Sequence, residues 1–71
     1  MSDPINPTHY QGAGGVQPID LIEAFDLGFC LGNSVKYISR AGRKGNAVED
    51  LKKARWYLDR EISRLEKEAA T

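Results

Sequence analysis

The sequence predicts an all-α fold with an extended N-terminal arm, two short helices and one long C-terminal helix, assembled as a homo-oligomer. Prolines and glycines recur through residues 1–17 and oppose regular structure there. Beyond them, apolar residues recur at spacings of three and four, which is typical of amphipathic helices. With 71 residues and one cysteine, a lone copy forms no internal disulfide and buries only a marginal core. We therefore divide the chain into an arm, residues 1–17, and a helical domain, residues 18–71.

The first short helix is expected to begin at Pro18, because proline suits the first helical position. Ile19, Ile22 and Phe25 then fall on one side of the helix. Gly28 is expected to end it.

A second helix is predicted from about residue 29 to residue 41. Gly32 lies inside it, where glycine costs about 1 kcal/mol relative to alanine, so either a closely packed helix or a ligand near the backbone must compensate. Four polar and aromatic residues recur at positions that share one face of this helix. They are Asn33, Lys36, Tyr37 and Arg40.

The third and longest helix is predicted from about residue 47 to residue 67. Asn46 is a suitable N-cap, and Glu49 stands where a capping box requires an acid. The apolar stripe of this helix continues beyond what two short helices can cover, which argues for a partner subunit. That stripe consists of Val48, Leu51, Ala54 or Arg55, Leu58, Ile62 and Leu65.

Charge is unevenly distributed, although ten basic and ten acidic residues give a net charge of zero. Residues 1–35 contain acids and no lysine or arginine, whereas most of the basic residues lie in residues 36–64. A basic half favours phosphate-bearing partners.

No apolar stretch is long enough to span a membrane, and neither a signal peptide nor a disulfide pattern is evident, so we expect a cytoplasmic protein with no membrane partner.

The basic segment also carries the residue types that hold nucleotides. Arginine forks and lysine ammoniums match phosphate oxygens, tyrosine rings stack on bases, and an asparagine can read a base edge. The alternative is an ordinary solvated helical surface laced by ion pairs such as Glu49 with Lys53. The predicted ligand-binding residues are His9, Tyr10, Asn33, Lys36, Tyr37, Arg40, Arg43, Lys44, Lys53 and Tyr57.

Other chemistry has weaker support. One histidine and one cysteine make a zinc site improbable, and the chain has no P-loop motif. We expect no metal, no cofactor and no assigned catalytic residue. Asp50 is a candidate Mg²⁺ ligand or hydroxyl-orienting acid and His9 a candidate proton carrier, but only if the protein transfers phosphoryl groups.

The order of three segments resembles the SaV-like family of small bacteriophage proteins, long a domain of unknown function. They are "HY" near the start, "PIDLIEAFDLGFCLGNSVKYISRAGRKG" and "EDLKKARWYLDREI", and together they cover roughly residues 9–62. Some members are described as phage nucleotide kinases, and others are linked to sensitivity to abortive infection. The resemblance implies a phage protein in the host cytoplasm that handles nucleotides or meets host defence.

Three hypotheses follow for function. The first is a binding protein that sequesters a nucleotide or a nucleotide-derived immune signal, such as a cyclic nucleotide or an ADP-ribose-type messenger, acting as an anti-defence sponge. The second is a nucleoside monophosphate kinase that lacks a P-loop. The third is a module that binds nucleic acid or a host protein.

Overall fold

The computed structural model describes residues 13–70, and within them the chain is helical with no strand. Within these residues a 3-10 turn, Ala13–Gly15, precedes three helices: α1 (Pro18–Ala24), α2 (Phe29–Arg40) and α3 (Ala47–Ala70). This confirms the all-α class and the order of two short helices and one long helix. Most of the predicted arm lies outside the described residues. None of the helices described is long and apolar enough to cross a membrane.

Helix α1 begins as its sequence predicts, with Pro18 at its first turn. The backbone N–H of Gln17 donates to the carboxylate of Asp20 at 2.8 Å, which satisfies one of the donors that a helix start leaves open. The same carboxylate lies in the first turn, where the helix dipole favours negative charge.

The end of α1 differs from the prediction that Gly28 closes it. The helix ends at Ala24, and Asp26 adopts the left-handed conformation with φ 53°. Leu27 N–H donates to Ile22 O at 2.9 Å, and Asp26 N–H donates to Glu23 O at 3.2 Å, which is the Schellman pattern of a helix C-terminus. Aspartate tolerates the left-handed region better than most residues, so no glycine is needed here.

Gly28 instead precedes α2 as its N-cap, in an extended conformation with φ −79°. Gly32, within α2, is buried against α1: a methyl group added there would lie 3.4 Å from the nearest side-chain atom of Ile22. A methyl group there would be in ordinary van der Waals contact with Ile22, so packing against α1 does not by itself require a glycine at this position.

Helix α3 has 24 residues and is about 36 Å long at 1.5 Å per residue, three residues beyond its predicted end. Glu49 N–H donates to the side-chain oxygen of Asn46 at 3.1 Å, which confirms Asn46 as the cap. Gly42 and Gly45, both at positive φ, shape the turn that brings α3 back along α2.

The α2–α3 contact is built from small residues rather than from the apolar stripe of α3. Ser34 and Ala54 are each 3% exposed. The Ser34 hydroxyl lies 2.9 Å from the carbonyl oxygen of Cys30 and 3.4 Å from that of Ala54, so it links the two helices. Of the stripe predicted for α3, Ala54 is buried here, while Val48, Leu51, Leu58, Ile62 and Leu65 remain 38–60% exposed.

Candidate functional site

Two tyrosines from different helices meet at the α2–α3 contact. The rings of Tyr37 on α2 and Tyr57 on α3 are nearly parallel, with 14° between their planes and 6.0 Å between their centres. The ammonium groups of Lys36 and Lys53 lie 5.1 Å and 5.4 Å from the centre of the Tyr37 ring. We call these four residues the tyrosine–lysine cluster. Each ammonium is within the range of a cation–π interaction, worth roughly 0.5–1 kcal/mol at an exposed site.

Helical periodicity explains why the cluster forms. Lys36 and Tyr37 fall on the polar face predicted for α2, and Lys53 and Tyr57 are one turn apart on α3. The small residues Ser34 and Ala54 allow the two helices to approach closely enough for these faces to meet.

Two further aromatic side chains extend the cluster. Phe29 lies edge-on to the Tyr57 ring with 5.9 Å between ring centres, and Trp56 lies edge-on to the same ring at 5.1 Å. Both are mostly exposed, at 76% and 61%. Neither Phe29 nor Trp56 was predicted to bind ligand. The sequence could have indicated Phe29, because it lies four residues before Asn33 and seven before Lys36 and so shares their face.

Asn33 lies beside the cluster, at the wall of a surface cavity. Its amide nitrogen donates to Phe29 O at 2.8 Å, which engages one of its two amide hydrogens and fixes the side chain. The cavity has a volume of about 310 Å³ and is lined by the α1–α2 junction and the start of α2. Its lining residues are Ile22, Leu27, Gly28, Phe29, Gly32, Asn33 and Lys36.

Arg40, one turn beyond Lys36 and Tyr37 on the same face, forms an ion pair with Asp50. Its Nε lies 3.3 Å from a carboxylate oxygen of Asp50, whose side chain is only 2% exposed, whereas the side chain of Arg40 is 27% exposed. A buried carboxylate needs a cationic partner, so Arg40 has a structural task. Asp50, considered above as a Mg²⁺ ligand or hydroxyl-orienting acid, is instead buried against this arginine.

The turn between α2 and α3 carries the two other cations that were predicted to bind ligand. Arg43 and Lys44 are exposed there, and the backbone N–H of Arg43 donates to Arg40 O at 2.9 Å. A methyl group added at Gly45 would lie 3.8 Å from a terminal nitrogen of Arg40, so the guanidinium extends along the turn. The turn therefore places three cations at one end of the α2–α3 contact.

The structure thus brings Asn33, Lys36, Tyr37, Lys53 and Tyr57 to one surface, with Arg40, Arg43 and Lys44 next to it. His9 and Tyr10 lie outside the described residues. Among residues 13–70, no three histidine, cysteine, aspartate or glutamate side chains are grouped as a metal site would require.

A second group of charges lies further along α3, away from the cluster. Arg64 donates to Glu61 at 2.6 Å and pairs with Glu68 at 2.5 Å. The hydrogen bond from Arg64 lowers the pKa of the Glu61 carboxyl, and the bond to Glu61 raises the pKa of the arginine. These residues were not predicted to bind ligand, and their charges are paired with one another.

Sequence comparison relates the chain to a bacteriophage protein. It is 43% identical over 67 residues to the gene 1.7 protein of Enterobacteria phage T3, in an alignment that covers 82% of this chain and 40% of that protein. The chain therefore spans about two fifths of the length of this relative. No solved structure matches the chain. The similarity supports a phage origin and adds no activity.

A family model matches the part of the chain that contains the helices of the tyrosine–lysine cluster. Residues 5–59 match a family described as a protein of unknown function, DUF3310. The matched range includes all of α1 and α2 and the half of α3 that contains Lys53 and Tyr57. The chain belongs to the DUF3310 family.

Proposed function

We propose that this protein binds a nucleotide or a nucleotide-derived signal at the tyrosine–lysine cluster, without turning it over. The observation that carries the proposal is the convergence of two ammonium groups on one tyrosine ring that is itself stacked on a second. A nucleotide combines a flat base with an anionic phosphate, and this surface offers an aromatic ring beside paired cations.

The roles of the residues follow from their positions. Tyr37 and Tyr57 offer ring surface to the base, while Lys36 and Lys53 neutralise phosphate. Asn33 offers its amide to the sugar or to a base edge. Arg43 and Lys44 extend the cationic surface for a ligand with more than one phosphate, and His9 and Tyr10 would join from the arm.

During infection, binding at this cluster would sequester a host immune messenger. A phage origin places the protein in an infected bacterium, where cyclic nucleotides and ADP-ribose-type messengers are ligands of the required chemistry. Binding without turnover suits a surface whose nearest buried carboxylate, Asp50, is committed to Arg40. The kinase hypothesis requires an acid that holds Mg²⁺ between phosphates, and Asp50, the acid considered for that role, is buried against Arg40.

The test is ligand retention by the purified full chain. The protein is incubated with mononucleotides, cyclic di- and trinucleotides and ADP-ribose derivatives, with and without Mg²⁺, and then separated from free ligand. Heat-released ligand is identified by mass spectrometry. Intact ligand supports storage, an altered ligand supports the kinase hypothesis, and retention of none of these compounds contradicts the proposal.

Lys53→Ala provides the matched variant. Loss of one charge-assisted contact is expected to weaken ligand binding about tenfold or more. Lys67→Ala is the control, because this lysine lies on the same helix about 20 Å further along its axis and should leave affinity unchanged. Equal affinities of both variants and the wild type would place the ligand elsewhere.

Salt dependence separates a small ligand from a nucleic acid. Binding to duplex DNA weakens by about 0.9 log units per phosphate contact for each log unit of salt, so a duplex spanning several cations gives a steep slope. A mononucleotide or cyclic dinucleotide contacts few phosphates and should give a shallow one. A steep slope together with preference for duplex would favour the nucleic-acid hypothesis.

A further inference from the structure

The exposed apolar side of α3 follows a seven-residue repeat. Val48, Arg55 and Ile62 occupy its first position, and Leu51, Leu58 and Leu65 occupy its fourth. The five apolar members remain 38–60% exposed. An apolar repeat of 3.5 residues is typical of a seam between two helices that pack along their whole length.

This seam is separate from the surface that packs on α2. Ala54, buried against α2, belongs to neither repeat position. At 3.6 residues per turn, the seam is centred about 150° around α3 from Lys53 and Tyr57. Within residues 13–70, no other helix covers it, so its partner must come from another molecule or from the arm.

We propose that a second copy of this chain covers the seam, with the two α3 helices packed antiparallel. In this arrangement Val48 meets Leu65 of the second copy and Leu51 meets its Ile62, so apolar layers form at both ends. Arg55 meets Leu58 in the two central layers. The long stem of Arg55 can pack there while its guanidinium reaches the edge of the seam.

Charge complementarity selects the second copy and the orientation. Residues at the fifth repeat position, Lys52 and Asp59, flank the seam and are both exposed. Antiparallel packing places Lys52 of each copy beside Asp59 of the other, and Asp59 is also close to the central Arg55. Interhelical ion pairs at this position set partner choice and orientation in coiled coils.

Parallel packing of the same helices is unfavourable. It would place the two Arg55 side chains against each other at the centre of the seam. It would also bring Glu61 of one copy next to Glu66 of the other, and like charges in such contact repel. The sequence therefore fits one direction of packing and opposes the other.

The surface of α3 has a recess where the second copy would insert. A cavity of about 320 Å³ is lined by Val48, Leu51, Lys52 and Arg55, with apolar side chains bordered by two cations. The complementary surface, Ile62 and Leu65 with the nearby Asp59, lies in the other half of the same helix. In an antiparallel dimer the first half of each α3 packs on the second half of the other, so this contact forms twice.

A charge-reversal cycle tests both partner and orientation. Sedimentation equilibrium of the full chain should give a dimer, or an assembly built from dimers, at micromolar concentration. Lys52→Glu and Asp59→Lys should each weaken association about tenfold, since each places like charges together. The double variant K52E/D59K restores the pairs and should regain near wild-type association.

Two further variants complete the test, one that should disrupt the dimer and one that should not. Ile62→Asp should dissociate the dimer because it puts a carboxylate into an apolar layer. Lys67→Glu changes charge on the far side of α3 and should leave association unchanged. Circular dichroism of each variant establishes that the helices persist. A wild-type chain that is monomeric throughout the micromolar range overturns the proposal, and so does a double variant that stays dissociated while both single variants remain helical.

Discussion

The two sides of α3 reverse the usual relation between polarity and burial. The side packed on α2 carries a carboxylate, an alanine and a tyrosine, with Asp50 1% and Ala54 3% exposed. The other side carries leucines and an isoleucine that are 38–51% exposed, together with Val48 at 60%. In a self-sufficient monomer the more apolar side would be buried.

This difference separates two tasks. The polar side is fixed by specific contacts: an ion pair, a serine hydroxyl and stacked rings, which hold the tyrosine–lysine cluster in one geometry. The apolar side exposes hydrophobic surface that no other helix within residues 13–70 covers, and association between copies would bury surface of this kind. Changes to the two sides should therefore have different consequences, the first in the folding of one chain and the second in assembly.

The largest effect on the packed side is expected from Asp50→Ala. The change removes the buried partner of Arg40 at the point where the turn joins α2 to α3. Because the side chain of Arg40 is partly exposed, we expect a loss of about 2–3 kcal/mol, at the low end for a broken buried pair. Urea denaturation at a fixed protein concentration measures it, since association also contributes to apparent stability.

Glu68→Ala is the control for that change. Glu68 is also an acid of α3 paired with an arginine, but its side chain is 61% exposed. Exposed pairs contribute little, so its denaturation midpoint should stay close to that of the wild type. Equal midpoints for the Asp50 and Glu68 variants would mean that burial does not distinguish the two ion pairs.

A smaller effect is expected from enlarging the residue between α2 and α3. Ala54→Leu inserts three carbons where the Ser34 hydroxyl lies 3.4 Å from the Ala54 carbonyl. Overpacking of this kind costs about 1–3 kcal/mol, and it should also part the rings of Tyr37 and Tyr57. Ala70→Leu, at an exposed position near the end of α3, is the matched control.

Tyrosine fluorescence distinguishes this change from simple destabilisation. Separation of the stacked rings alters the tyrosine environment in the folded protein, before any denaturant is added. An Ala54→Leu protein with unchanged fluorescence and an unchanged midpoint would show that the helices have room to spare at this contact.

Sequence periodicity predicted the polar face of α2. The spacing of Lys36 and Tyr37 indicated this face, and the structure brings it against Lys53 and Tyr57 of α3. The Asn46 cap was also readable, because its hydrogen bond spans only three residues. Such features depend on local geometry, which a sequence pattern records directly.

Features that depend on how the turn closes were not predictable in the same way. Arg40 and Asp50 are ten residues apart, and their contact requires the conformation of the turn that includes Gly42 and Gly45. From the sequence, Asp50 was a candidate metal ligand only under the kinase hypothesis, and its pairing with Arg40 was not predicted. The left-handed Asp26 was missed for a related reason, since glycine is the usual residue in that role and Gly28 lies only two residues away.

The smallest effect is expected where α3 carries its second ion-pair group. Arg64 holds the pKa of Glu61 below its ordinary value of 4.5, mainly through a direct hydrogen bond. A lowered pKa means that the folded protein binds this proton less readily than the unfolded chain does. The stabilisation from Glu61 is therefore complete above about pH 4.5 and is lost as the pH falls through the lower pKa of the folded state.

Glu61→Gln removes this dependence and tests it. At pH 7 the wild type should have a slightly higher urea midpoint than the variant, and the two should converge as the pH falls below 4.5, the ordinary value of this carboxyl. High salt at pH 7 should also reduce the difference, because Arg64 is about half exposed and its attraction is screened. A difference that grows in acid would contradict the assignment and would indicate that Glu61 is stabilised in its protonated form.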